Sequence, residues 1–336
     1  MKLVNPPISL CGISGDRPNS FIASGSIRCM PEYSKAADCG PEIKNHDYSC
    51  VAISTPRVVF CNREQSMSVF EVQQGTSPII LGMPHTGTDV PGDIWHKLND
   101  NGRRLADTDW HIHNLYDGLL ENATVVRATF HRYVIDANRD PAGTSLYPGQ
   151  NTTGLVPTTD FDGNPIWTIG AEPSAEDVAA RVASFHEPYH AALLAEIKRI
   201  KAIHGIAIIY DCHSIRSHIP FLFEGRLPDF NIGTDGGVTC DPRIEEATVD
   251  VVASAKGFSG NLNGRFKGGW TTRHYGRPET GVHAIQMELA QSTHLQTEAA
   301  PFAYDPAKAE RLRVHLNEIL TRLERVAADL KNEARS

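Results

Sequence analysis

The stretch Gly205-Ile206-Ala207-Ile208-Ile209-Tyr210, followed at once by Asp211-Cys212-His213-Ser214, decides how the chain is read. A short unbroken apolar run opened by glycine fits a strand buried on both faces. Polar residues stand at its far end, where ligands of open α/β sheets collect. The same pattern recurs outward in both directions. Pro78-Ile79-Ile80-Leu81-Gly82-Met83 ends at Pro84-His85, and Val125 to Thr129 runs into Phe130-His131-Arg132. His283-Ala284-Ile285-Gln286-Met287-Glu288-Leu289 carries Glu288 near its end, and the alternating Ser68-Val69-Phe70-Glu71-Val72 adds another strand.

Helical patterns separate these strands. Ser174 with Asp177 three residues on predicts an N-terminal cap, and Val178, Val182 and Phe185 supply the apolar stripe. Pro188 is expected to split that helix from a second one over 193–203, which ends at Gly205. Asp241-Pro242 opens another helix, closed by Lys256-Gly257. The last begins at Asp305-Pro306 and carries Leu312, Leu316, Ile319, Leu323, Val326 and Leu330; the spacing reads as a core-facing terminal helix rather than a coiled-coil seam. The expected fold is a single α/β domain over 67–333, with a mostly parallel or mixed central sheet flanked by helices.

Composition excludes several classes. The 336 residues hold 32 Lys+Arg against 40 Asp+Glu, a formal charge of −8, and 40% are hydrophobic, which suits a globular protein and neither a collagen nor a disordered chain. Net acidity without a basic stretch argues against a nucleic-acid partner. No apolar run approaches the ~20 residues that span a bilayer. The partner expected is a small-molecule substrate, and nothing in the pattern specifies an oligomer.

Residues 1–66 differ from the rest: they lack sustained periodicity and hold Cys11, Cys29, Cys39, Cys50 and Cys61 of the seven cysteines. Pro6 and Pro7 interrupt any apolar secretory core, so no export signal is read and a cytoplasmic, reducing setting is expected. Two readings of 1–66 stand: an irregular leader, or translated upstream sequence ahead of a natural start at Met67.

His85 and His213 each follow a buried strand, and Asp89 shares a short loop with His85. Two histidines and a carboxylate with an open fourth position are a ligand set of catalytic zinc; the alternative is that each is simply a polar strand-end residue. His111 and His113, two apart on an expected helix, cannot easily share an ion there and read as helix surface or pocket lining. His186 and His190 have i,i+4 spacing without an HExxH pattern and read as structural. Cys212 faces away from Asp211 and His213 and reads as packing. The chain has neither a GxSxG elbow nor a GxxxxGK[ST] loop.

Taken in order, Pro84-His85-Thr86-Gly87, Arg132-Tyr133-Val134-Ile135-Asp136-Ala137-Asn138-Arg139, Asp211-Cys212-His213-Ser214 and Gln286-Met287-Glu288-Leu289 resemble the N-formylglutamate amidohydrolase family over 67–333. The pattern is also distantly similar to zinc carboxypeptidases and aspartoacylase, which implies a zinc-carboxypeptidase-like fold. The resemblance implies His85 and His213 as zinc ligands, Glu288 as base, Arg132 at the oxyanion, and Asn138 and Arg139 on substrate. It also implies hydrolysis of N-formyl-L-glutamate to formate and L-glutamate, closing a histidine degradation route. One departure is visible: the wider group uses His-x-x-Glu, whereas Thr88 stands at that place and Asp89 one further on, so the third ligand is Asp89 or a water. The same ligands accept cobalt, manganese or iron. Asp136 either orients a ligand histidine or pairs with Arg139 or Arg132. The implied substrate carries two carboxylates, which planar guanidinium groups bind well. Arg139 is the first candidate. Arg273, in the glycine-rich stretch 263–277, is the second, against the reading of a solvated basic loop.

Overall fold

The structure, a computed structural model, describes residues 68–145 and 149–333; the division at 66/67 lies outside them. Seven strands form one mixed sheet: β1 (Phe70–Gln73), β2 (Ile79–Met83), β3 (Thr124–Ala128), β4 (Ala207–Ile215), β5 (Phe230–Gly233), β6 (Gly260–Leu262) and β7 (Val282–Ala290). Their order across the sheet is β1-β3-β2-β4-β7-β5-β6. β2 is parallel to β3 and to β4, and β4 is parallel to β7, while β1 and β5 join antiparallel. The chain leaves β2 for β3 on one side and later lies along its other side as β4. That reversal opens a crevice at the strands' C-terminal ends.

The helices are α1 (Gly92–Lys97), α2 (Ile112–Tyr116), α3 (Ala175–Arg181), α4 (Glu187–His204), α5 (Pro242–Ser254), α6 (Trp270–Tyr275) and α7 (Pro306–Glu333). Strand alternation sorts the sheet into two cores. Ile208, Tyr210, Cys212 and Met287 pack with Ile244 of α5 and Leu312, Leu316 and Ile319 of α7. Ala207, Ile209 and Ala284 pack on the other face with Leu193 and Ile197 of α4. Asp211 and His213 alternate with Tyr210 and Cys212 and so face the α4 side. Cys212 is accordingly a packing residue, its thiol donating to Tyr210 O at 3.4 Å and pushed far up by burial. No described helix is long and apolar enough to cross a membrane.

The expected strands and caps are present, with three differences. β4 continues past Tyr210 to Ile215 because β7 runs beside it to Ala290, so each added residue keeps a ladder partner. Pro188 does not break its helix: α3 passes through a π-turn at 182–186 into α4, and Pro188 sits in α4's first turn, where an N–H is dispensable. β5 and β6 were not expected, being three or four residues long and containing glycine and asparagine. Ser174 does form the capping box with Asp177, and α7 packs its leucines into the core.

Two buried histidines outside the crevice make stability depend on pH. His190 Nε2 donates to Ala137 O at 2.7 Å, and burial, together with the neighbouring His186 and His274, pushes its pKa down to about 3. His294 Nε2 donates to Trp110 O at 3.0 Å, and burial pushes it down to about 4. Both stay neutral in the fold while the unfolded chain takes up protons below ~6.5, so stability is complete above that pH and falls as pH drops. The metal-free protein is expected to lose roughly 2 kcal/mol per histidine between pH 7 and 5, read from urea midpoints. The same pH dependence in wild type and in a His294→Gln variant would show that this ring is protonated in the fold.

Candidate metal and catalytic site

His85 follows β2, and His213 lies on β4, 128 residues later; the two Nδ1 atoms are 3.2 Å apart. His85 Nε2 donates to Asp136 Oδ1 at 2.7 Å, which fixes the proton on Nε2 and leaves the Nδ1 lone pair facing inward. His213 Nδ1 lies 3.0 Å from Asp109 Oδ2. Its Nε2 lies 3.1 Å from Asp211 Oδ1 and 3.0 Å from Asn138 Nδ2. His85, Asp109 and His213 are all buried, and each offers a donor atom within 4.8 Å of the others.

The acid in this group is Asp109, not Asp89. Past Gly87 the chain runs along the start of the segment after β3: Asp89 N donates to Thr129 O, and Asp89 O accepts from His131 N. That pairing spends the backbone of Asp89 on the β3 side and leaves its side chain exposed. Asp109 instead comes from the loop before α2. Its N–H donates to His85 O at 3.0 Å, and its Oδ2 also accepts from Ser214 N at 3.1 Å. The carbonyls on either side of it, Thr108 O and Trp110 O, are held by Gln291 Nε2 and His294 Nε2. The one sequence sign was the cluster Asp107-Thr108-Asp109, which the sequence reading passed over for His111 and His113. Of those two, His111 is the left-handed residue capping α2 (φ 60°) rather than part of the helix.

The segment after β3 supplies the next groups. Arg132 Nη2 lies 3.3 Å from Asp109 Oδ1, with its guanidinium 5.0 Å over the Phe161 ring. Its Nε is buried with no hydrogen-bond partner. Asp136 serves both readings made of it: Oδ1 takes His85, and Oδ2 lies 3.7 Å from Arg139 Nη1. Burial works to raise the Asp136 pKa, but Arg139, His85 and Arg132 hold it well below the usual carboxylate range. Asn138 accepts from Thr271 N on Oδ1, and Gly269 packs so closely that a Cβ there would lie 2.2 Å from Asn138 Nδ2. His186 and His190 act on this segment structurally, donating to Arg139 O and Ala137 O, one on each side of Asn138.

Glu288 on β7 stands directly beside His213 in the parallel register. Its Oε2 accepts from Gln286 Nε2 at 3.0 Å. Burial pushes its pKa up to about 8, against the pull of His213 and Arg132. A narrow cavity over the group is lined by His85, Arg132, Arg139, His213, Arg265 and Glu288, among others. Arg273 does not line it. Thr271 and Thr272 turn inward from α6, and Arg273 turns outward to Asp235 Oδ1 at 3.2 Å and Gly268 O at 2.9 Å. The arginine that the 263–277 stretch does bring to the cavity is Arg265.

The residues present fit a divalent cation. Three buried carboxylates, Asp109, Asp136 and Asp211, surround the rings against two guanidinium groups, Arg132 and Arg139. Burial opposes a charge on His213, yet Asp211 and Asp109 hold its pKa well above the usual histidine range. Two imidazole nitrogens and one carboxylate beside a cavity match the donor set of a catalytic zinc. The outer nitrogens face Asp136 and Asp211, the carboxylate backing common behind metal-bound histidines. Asp211, further fixed by Thr272 Oγ1 at 3.0 Å, is thus a positioning residue that the sequence reading did not single out.

Residues 77–295 match the family model described as N-formylglutamate amidohydrolase. The N-formylglutamate deformylase of Pseudomonas aeruginosa is 47% identical over 256 residues, covering 76% of this chain and 96% of that protein. The one from Pseudomonas putida is 45% identical over 76% and 95%. Among solved structures, an N-formylglutamate amidohydrolase from Ralstonia eutropha JMP134 shares the fold with a TM-score of 0.62 at 23% identity, over 79% of this chain and 98% of that one. A gene product of Agrobacterium tumefaciens gives 0.58 at 17%, over 77% and 96%. The chain belongs to the N-formylglutamate amidohydrolase family.

Proposed function

We propose that the protein hydrolyses N-formyl-L-glutamate to formate and L-glutamate, using a divalent metal, with zinc as the expected ion, as the closing step of histidine degradation in the cytoplasm. The observation that carries the reading is the convergence of His85, Asp109 and His213 beside Glu288 and Arg132. The curated relatives' names supply the substrate.

A cation held by His85, Asp109 and His213 supplies Lewis acidity toward the formyl oxygen and makes a water easier to deprotonate near neutral pH. Glu288 accepts that water's proton as the oxygen adds to the formyl carbon, then returns it to the departing nitrogen. The C–N bond breaks, and formate and the amine leave with the elements of one water added. Arg132, which lines the cavity and lies 3.3 Å from Asp109, donates to the oxygen on which negative charge develops. Such a donor is worth about 3–4 kcal/mol in a desolvated site. Asp136 and Asp211 hold the imidazoles in place, and Asn138 and Arg139 bind the substrate beside them.

The reading is tested by formate release from N-formylglutamate before and after chelation, with N-acetyl- and N-succinylglutamate alongside. Formate release that chelation abolishes and added metal restores is expected. Preference for the acetyl or succinyl compound would instead favour a related amidohydrolase acting on acidic amino acids.

A further inference from the structure

The substrate proposed above has two carboxylates at unequal distances from the reacting bond. The α-carboxylate sits on the carbon that bears the formamide nitrogen, whereas the side-chain carboxylate is two methylenes further out. Three guanidinium groups line the cavity, of which Arg132 and Arg139 are paired with the buried Asp109 and Asp136. Among the described lining residues Glu288 is the one carboxylate.

The three arginines are anchored in different places. Arg132 lies against Asp109 at 3.3 Å. Arg139 lies 3.7 Å from Asp136, and the neighbouring Asn138 touches His213 at 3.0 Å, so this loop is built onto the catalytic group. Arg265 is fixed from the rim. Its Nε donates to Leu222 O at 3.0 Å and its Nη2 to Asn151 O at 2.9 Å, with the guanidinium 5.4 Å from the Phe266 ring centre. Asn151 is exposed and Leu222 half-buried, which marks the outer wall. An arginine held this way meets a carboxylate with little ordering left to do. In the reading proposed above, the α-carboxylate, next to the reacting amide, lies by the Arg139 loop. A side-chain carboxylate directed outward from there would pass the apolar Leu222 and Phe266, which line the same cavity.

We propose that Arg265 binds the side-chain carboxylate of the substrate and sets the enzyme's preference for acidic N-formyl amino acids; this rests on the deformylase reading. The test compares kcat/KM for wild type, Arg265→Gln and Arg265→Lys on three substrates: N-formylglutamate, its side-chain amide N-formylglutamine, and its α-amide N-formylisoglutamine. Wild type is expected to prefer the diacid over N-formylglutamine by about 50-fold or more, the size expected when a charged hydrogen-bonded pair is broken. Arg265→Gln should bring that ratio to within about threefold, while its ratio against the α-amide stays as in wild type. Should the glutamine variant fail to fold, Arg265→Lys decides: it keeps a charge but loses the planar fork, so its loss should fall on N-formylglutamate and N-formylisoglutamine and spare N-formylglutamine. An unchanged ratio in the variant, or a collapse against the α-amide instead, overturns the assignment while the deformylase reading stands. Wild type that releases formate from none of the three overturns both.

Discussion

Glu288→Gln is expected to lower kcat by about 10³ while leaving the fold, the metal content and KM near wild type. Glutamine matches glutamate in shape, and the contact with Gln286 Nε2 needs only an oxygen acceptor, so the strand is not disturbed. What is lost is the ability to take a proton from water and hand it to nitrogen, which a side-chain amide cannot do. General base catalysis of this kind contributes roughly 10²–10⁴. Steady-state formate release, together with metal analysis of the purified variant, reads the effect. Turnover equal to wild type would remove Glu288 from its role. A protein that binds metal and substrate without turning substrate over, in wild type and variant alike, would make this a binding protein that has kept the pocket.

Asp109→Asn and Asp89→Asn form the second comparison, and their results should diverge sharply. Asp109→Asn keeps a hydrogen-bond acceptor for Ser214 N but lacks the charge that faces His213 and Arg132. Metal affinity is expected to fall by more than about 100-fold, since even partners behind the ligands cost 10–100-fold, and formate release should fall with it. Removing the charge also leaves the buried Arg132 guanidinium with a weaker partner, so some loss of stability accompanies it. Asp89 is exposed and engaged through its backbone, so Asp89→Asn should stay within about twofold of wild type. The reverse pattern, metal lost in Asp89→Asn and kept in Asp109→Asn, would restore the acid on the His85 loop.

Much of the architecture was legible because strand pattern and site position are linked. Apolar runs before His85, His213 and Glu288 marked three strands, and the polar residues at their ends fall in one crevice. Capping at Ser174 and at Asp241-Pro242 placed helix starts, since those signals act over three or four residues. What sequence did not display depends on contacts made at a distance. Asp109 joins His85 through a backbone hydrogen bond across 24 positions (109 − 85), and no local pattern encodes that turn. Proximity along the chain favoured Asp89, but a loop that pairs its backbone with 129–131 points the side chain away. Arg265 and Arg273 stood in the same glycine-rich stretch. The short helix α6 turns Arg273 outward, while contacts with Leu222 O and Asn151 O, distant in sequence, hold Arg265 at the cavity.

Anomalous diffraction from crystals grown with zinc, recorded on both sides of the zinc edge, tests the central claim most directly. The account predicts one peak within about 2.0–2.2 Å of His85 Nδ1, His213 Nδ1 and an Asp109 oxygen, facing the cavity beside Glu288. A site with no peak while formate is still released, or a peak held by other residues, would contradict it.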